Sequence, residues 1–111
     1  NLGEEGRDGF TGALANRQIE NYRFDKSFMG VVGLDLDRNR IETYSAEDAT
    51  TKETVIRNSN SSYLMLEKRK LNENGNCRYA CPEDLTGAVL DCPVSKEEKE
   101  AMEARGLTVI D

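Results

Sequence analysis

Apolar residues in this chain come in short runs separated by polar, glycine-containing turns, and the spacing within each run predicts what it forms. Leu14, Ile19 and Tyr22 fall at near-helical spacing, and Thr11 stands where it could cap a helix running to about Tyr22. Arg23-Phe24-Asp25-Lys26 follows. The run Phe28-Met29-Gly30-Val31-Val32-Gly33-Leu34 is then apolar without alternation, the pattern of a strand covered on both faces. Asp35 to Asn39 reads as a turn and Ile41 to Tyr44 as a second short strand. Ser45 opens a helix, with Asp48 at the third helical position as a shortened capping box. Ala46, Ala49, Glu53 and Ile56 lie on neighbouring turns of it, Val55 widens the apolar side, and the helix ends near Asn58-Ser59.

Ser62 to Leu66 is a further buried strand, followed by the basic cluster Lys68-Arg69-Lys70 and a loop at Asn72-Glu73-Asn74-Gly75-Asn76. Ala88-Val89-Leu90-Asp91 is a strand that Pro93 stops. Ser95 and Glu98 form a full capping box for a helix through Arg105, Gly106 is the glycine expected at its end, and Leu107 to Ile110 is the last strand. Strands alternating with helices predict an α/β domain with a mostly parallel sheet flanked by helices. Repeats, low-complexity tracts and linkers are absent from the sequence.

Composition narrows what such a domain can do. At 111 residues there is room for one domain and one modest core. The formal net charge of -6 argues against a nucleic-acid or anionic-membrane surface on this segment. No apolar stretch approaches the roughly 20 residues of a membrane helix, and the N-terminus lacks the basic and apolar regions of a signal peptide. A cytoplasmic protein is expected. With no His, serine or cysteine triads, imidazole metal sites and His general bases are excluded. Cys77, Cys81 and Cys92 match no common zinc spacing and read as reduced thiols, with a Cys77–Cys81 disulfide as the competing reading. Neither metal nor cofactor is expected. Asn60-Ser61-Ser62 is a nominal glycosylation motif that means little without a secretory signal.

In an open α/β sheet ligands bind outside the carboxyl ends of the strands. Three predicted ends carry suitable residues. Gly30 and Gly33 could let a backbone approach a ligand closely, although taken alone they are better explained by close packing of strand on helix. The start of the Ser45 helix offers free N–H groups to an anion, but Glu47 and Asp48 already complement it, and Asp48–Lys52 is also an ordinary helix pair. Glu67-Lys68-Arg69-Lys70 could hold a phosphate or be a solvated charge run.

The order of these pieces resembles the DeoR family of bacterial sugar-metabolism repressors. Phe24-Asp25-Lys26-Ser27-Phe28-Met29-Gly30 is similar to that family's "D-K-A-F-hydrophobic-G" element, the most specific of the matches, and Gly33 then fits its "G-x-x-G". Glu47-Asp48-Ala49-Thr50-Thr51-Lys52 resembles its "E-A-x-x-K" helix start, with Val55-Ile56 as the following apolar pair. Leu64 to Lys70 resembles an apolar strand followed by "D-S-S-K". Ala88 to Asp91 and Gly106 to Ile110 resemble the family's two closing strands, and Gly12-Ala13-Leu14-Ala15 its "G-x-x-A" helix opening.

Carried over position by position, the resemblance implies a ligand site with Asp25, Lys26, Gly30, Gly33, Asp48, Lys52, Glu67 and Lys70. Asp48 stands for the family's Glu and Glu67 for its Asp, each moved by one methylene. Lys68 and Arg69 replace two serines, Leu71 a Phe, and Val32 a frequent polar residue. Such changes remove neutral donors and add long charges, so the ligand could be more anionic than the usual one, or the pocket degenerate.

The resemblance implies the effector-binding C-terminal sensor domain of a repressor, with no catalysis and a fold like ribose-5-phosphate isomerase and the CoA-transferases. A phosphorylated sugar or related metabolite is the implied ligand. The chain opens at Asn1 without an initiator Met, which suggests a fragment of residues 1–111 lacking the first strands. Operator DNA would be bound through an upstream domain absent here. A homo-oligomer is expected, because a missing first strand leaves a sheet edge that seeks a partner. The alternatives are a sugar-phosphate isomerase-like enzyme fragment, with Asp48 and Lys52 or Glu67 and Lys70 as acid–base pairs, and a dimerisation module with a vestigial site.

Overall fold

A computed structural model describes residues 12–111. Helix α1 spans Ala13–Ile19 with Gly12 at its N-cap position; the cap expected of Thr11 lies outside the described residues. Ala15 and Ile19, four apart, form its buried face, whereas Leu14 and Tyr22 are exposed. The strands are β1 (Phe24–Gly30), β2 (Gly33–Asp35), β3 (Arg40–Thr43), β4 (Ser59–Leu66), β5 (Cys77–Ala80), β6 (Gly87–Leu90) and β7 (Thr108–Ile110). Helix α2 (Ala46–Arg57) joins β3 to β4, and α3 (Lys96–Ala104) joins β6 to β7.

Strands β1, β4, β6 and β7 form one parallel sheet in that order, as the alternation of strands and helices predicts. Its inner face carries Met29, Leu64, Leu66, Ala88, Leu90 and Val109. Ala49 of α2 and Met102 of α3 belong to the same buried cluster. Among the described residues, the core therefore lies on one side of this sheet.

The structure corrects the strand predicted over Phe28 to Leu34. The apolar run is two elements in two sheets: β1 begins earlier, at Phe24, and ends at Gly30, while Gly33 opens β2. Nor is β1 covered on both faces. Met29 points inward, but Phe28 is 57% exposed and stacks on Tyr63, ring centroids 5.3 Å apart. Met65 and Ile110, also exposed, lie on that outer face.

The second sheet is antiparallel, in the order β2-β3-β5, and was not predicted. It adds Leu34, Ile41, Tyr79 and Ala80 to the core. Residues 72–76, the predicted loop, are bound tightly to it. Asn72 N–H donates to Leu34 O (2.6 Å) and Asn76 N–H to Thr43 O (2.9 Å). Two buried carboxylates complete the attachment: Asp35 accepts from Asn74 Nδ2 (2.7 Å) and Glu42 from the Gly75 N–H (3.1 Å). The Arg38 N–H, with help from Asn74, holds the Asp35 carboxyl below the usual carboxylate range.

Both capping predictions place their helices correctly, and they differ in detail. Ser95 and Glu98 make the full reciprocal box. Ser45 Oγ accepts from the Asp48 N–H, but the Asp48 carboxylate turns away from the cap to Thr43. All three cysteines are free thiols, so the Cys77–Cys81 disulfide is not formed. Burial and the neighbouring Asp91 carboxylate push the Cys92 thiol up. Among the described residues, no helix is long and apolar enough to cross a membrane.

Candidate functional site

At the carboxyl end of β1 the chain crosses from one sheet to the other through Val31-Val32. Two lysines from different elements converge on this crossing. Lys52 of α2 donates from Nζ to Gly30 O at 3.1 Å. Lys70, in the 3-10 turn Lys68–Lys70 after β4, donates from Nζ to Val31 O at 3.4 Å. Two cations from elements 18 positions apart in sequence therefore sit on adjacent backbone carbonyls.

Asp48 is bound into the same cluster. Its Oδ2 lies 3.0 Å from Lys52 Nζ and accepts from Thr43 Oγ1 at 2.7 Å. The ring of Tyr79, on β5, lies beneath the Lys52 ammonium with its centroid 5.3 Å away. Tyr79 is buried, its hydroxyl lacks a hydrogen-bond partner, and burial aided by the Asp48 charge pushes its phenol above the ordinary range. Lys52 is thus held by one carbonyl, one carboxylate and one aromatic face. An ammonium has three N–H donors, so one on Lys52 and two on Lys70 are left for a ligand.

The other predicted residues divide. Gly30 lies at this centre, and a Cβ built on it would meet nothing within 4 Å. Gly33 does not offer such space: a Cβ there would run into the backbone of Glu73 and Asn74, so this glycine serves close packing. Glu67 lies just beyond the end of β4, but its carboxylate is taken up by Arg69 (3.3 Å). Lys68 approaches Glu98 (3.8 Å), so Lys70 alone of the basic cluster turns to the crossing.

Asp25 and Lys26 are not brought to this place. They are exposed residues in the amino-terminal half of β1, and five residues of strand put Asp25 about 16 Å from Gly30. They entered the candidate set through the family resemblance, as members of the same motif as Gly30, and not through any placement at a strand end. Thr43 and Tyr79 were missed. Thr43 stands five residues before Asp48 across a helix start, and Tyr79 lies on a four-residue strand that the loop before it hid.

A shallow pocket of about 200 Å³ adjoins this region at the carboxyl ends of β4 and β6, lined by Met65, Leu66, Glu67, Val89, Leu90 and Asp91. A larger one, about 650 Å³, lies beside Phe24 at the other end of β1; Gln18, Ile19, Asn21 and Tyr22 complete its lining, which holds no charged side chain for an anion. Among the described residues, no three acidic or thiol side chains gather as a metal would require.

A parallel sheet with helices packed on its inner face, and two lysines meeting at a strand's carboxyl end, defines an α/β domain with a candidate site where such sheets hold their ligands. The sequence model of the DeoR C terminal sensor domain matches residues 3–92. The chain belongs to that family. Lactose phosphotransferase system repressors of Staphylococcus aureus strains NCTC 8325 / PS 47, N315 and COL are 25% identical to it over 104 residues, 94% of this chain. The chain spans 40% of the length of these relatives.

Proposed function

We propose that this chain is part of the sensor domain of a repressor of carbohydrate metabolism and takes a phosphorylated sugar at the carboxyl end of β1. Lys52 and Lys70 contact the phosphate, Gly30 leaves the backbone open beside it, and Asp48 orients Lys52 or accepts a sugar hydroxyl. The observation that carries this reading is the convergence of Lys52 Nζ and Lys70 Nζ on the adjacent Gly30 and Val31 carbonyls. Relatives named as repressors of a sugar phosphotransferase system support it.

The same reading makes the domain regulatory rather than catalytic. Asp48, the best-placed carboxylate, is already committed to Thr43 and Lys52 and has no role open as a general base. Operator DNA would be bound through another part of the protein, in the cytoplasm, and as a homo-oligomer. Asp25, Lys26, Gly33 and Glu67 are at most outer or packing residues of the site.

The test is calorimetry of the full-length protein against a panel of hexose and pentose phosphates, with Lys52→Ala and Lys70→Ala beside the wild type. A charge-assisted hydrogen bond to phosphate is worth about 1.5–3 kcal/mol, so each substitution should weaken binding roughly ten- to a hundredfold. A ligand whose affinity neither substitution lowers would place the site elsewhere.

A further inference from the structure

The three groups around Lys52 Nζ come from three parts of the fold. Gly30 O ends β1 of the parallel sheet, Asp48 belongs to the lysine's own helix, and Tyr79 belongs to the antiparallel sheet. We propose that Tyr79 is a positioning residue for the anion site, its ring face holding the Lys52 ammonium at the carboxyl end of β1. This rests on the reading of Lys52 as a ligand contact.

A lysine side chain has several rotatable bonds, and a useful ligand contact needs its nitrogen in one place. Asp48 and Gly30 O take two of the three N–H directions, and an incoming anion takes the third. The ring takes none. Its attraction for the cation comes from the negative face of the π system and uses no N–H direction, so it persists when a ligand arrives. The contact is also sheltered: Tyr79 is 4% exposed and the Lys52 side chain 18% exposed. The unpartnered hydroxyl adds nothing to this placement, so the useful part of the residue is its face.

The test separates face from bulk and from hydroxyl. Tyr79→Phe keeps the face, and pentafluorophenylalanine at the same position keeps the shape but inverts the quadrupole. Tyr79→Leu removes the ring altogether and depends on the variant folding; the fluorinated variant does not need that large a change. Two measurements are made on the full-length protein. Ring current should move the Lys52 ε-methylene proton resonances upfield in wild type and Tyr79→Phe, with assignment by their disappearance in Lys52→Arg. In calorimetry with hexose 6-phosphates and with inorganic phosphate, Tyr79→Phe should stay within twofold of wild type. The fluorinated variant should bind about three- to tenfold more weakly, the fold-change of one partly desolvated cation–π contact. An unshifted Lys52 methylene in the wild type, or equal affinity in the phenyl and pentafluorophenyl variants, overturns the proposal. If the upfield shift is present but no phosphate compound binds wild type, Tyr79 still positions Lys52, and it is the sugar-phosphate reading that fails.

Discussion

Gly30 and Gly33 look alike in the sequence, three apart in one apolar run, yet alanine should act oppositely at the two. A Cβ on Gly33 would collide with the Glu73 carbonyl, lie 2.6 Å from its carbon and 3.0 Å from Asn74 N. These are backbone atoms and cannot swing aside. The loop that carries them is fixed at several points: Asn72 N–H on Leu34 O, Asn74 on Asp35, Gly75 N–H on Glu42, and Asn76 N–H on Thr43 O. Relief of the clash must therefore come from moving the loop off β2. Overpacking of this kind costs about 1–3 kcal/mol. Movement also loosens the hydrogen bonds to two buried carboxylates, and an unsatisfied buried polar group costs about 1–3 kcal/mol more.

Gly33→Ala should then destabilise by about 2–4 kcal/mol, which lowers Tm by roughly 10–30 °C in a domain near this size. Gly30→Ala meets open space at an ordinary φ. It should be neutral or stabilise by up to about 1 kcal/mol, since glycine inside a strand is conformationally costly. Thermal unfolding followed by circular dichroism reads both. A Gly33→Ala protein melting within 3 °C of wild type would show that residues 72–76 do not pack on β2 as described. A Gly30→Ala protein as damaged as Gly33→Ala would show that the space beside Gly30 is filled.

Further outcomes follow from individual contacts. Asp35 titrates below its ordinary range in the folded protein, so its contribution is intact above about pH 4 and is lost as pH falls through the folded value. Tm should hold from neutral pH to about 5 and drop below 4, and Asp35→Asn should lower Tm at neutral pH while flattening that acid limb. Ser95→Ala breaks a reciprocal capping box and should cost about 1 kcal/mol in urea denaturation, with a cost under 0.3 kcal/mol refuting the cap's role. Tyr79→Phe removes a buried hydroxyl that has no partner, so its Tm should equal or exceed that of wild type; a loss of more than about 1 kcal/mol would reveal a partner.

Helix signals in this sequence were legible because they are local. Ser45 and Ser95 sit where their side chains can accept from the N–H three residues on, and both helices begin there. Strand signals were legible where a strand packs into the core: β4, β6 and β7 of the parallel sheet and β3 of the antiparallel one. The run from Phe28 to Leu34 misled because its lack of alternation has a different cause from double burial. Phe28 is outward and stacked on Tyr63, Met29 is inward, and Val31 and Leu34 are buried across a change of sheet. An uncovered aromatic and a sheet crossing together imitate a central strand. β5 was invisible for another reason: Cys77-Arg78-Tyr79-Ala80 is short, and its partner β3 lies some 35 residues earlier in the chain, so nothing local announces the pairing.

The site was legible to the extent that strand ends were correctly placed. Lys52 and Lys70 come together at the end of β1, and each follows a feature that is plain in the sequence: a capped helix start and the end of the apolar strand Leu64 to Leu66. Their meeting at Gly30 and Val31 is a product of parallel pairing, which sets Gly30 opposite Met65 and brings the turn after β4 beside the end of β1. Asp25 and Lys26 share the motif with Gly30, but within one strand sequence proximity becomes distance along the axis, about 3.3 Å per residue. Residues of a strand motif thus spread from one end of the sheet to the other, while residues remote in sequence collect at one end. The charge arithmetic follows the same logic. In a chain of net charge -6, carboxylates outnumber cations; here Glu67 and Glu98 engage Arg69 and Lys68, which leaves Lys70 to join Lys52.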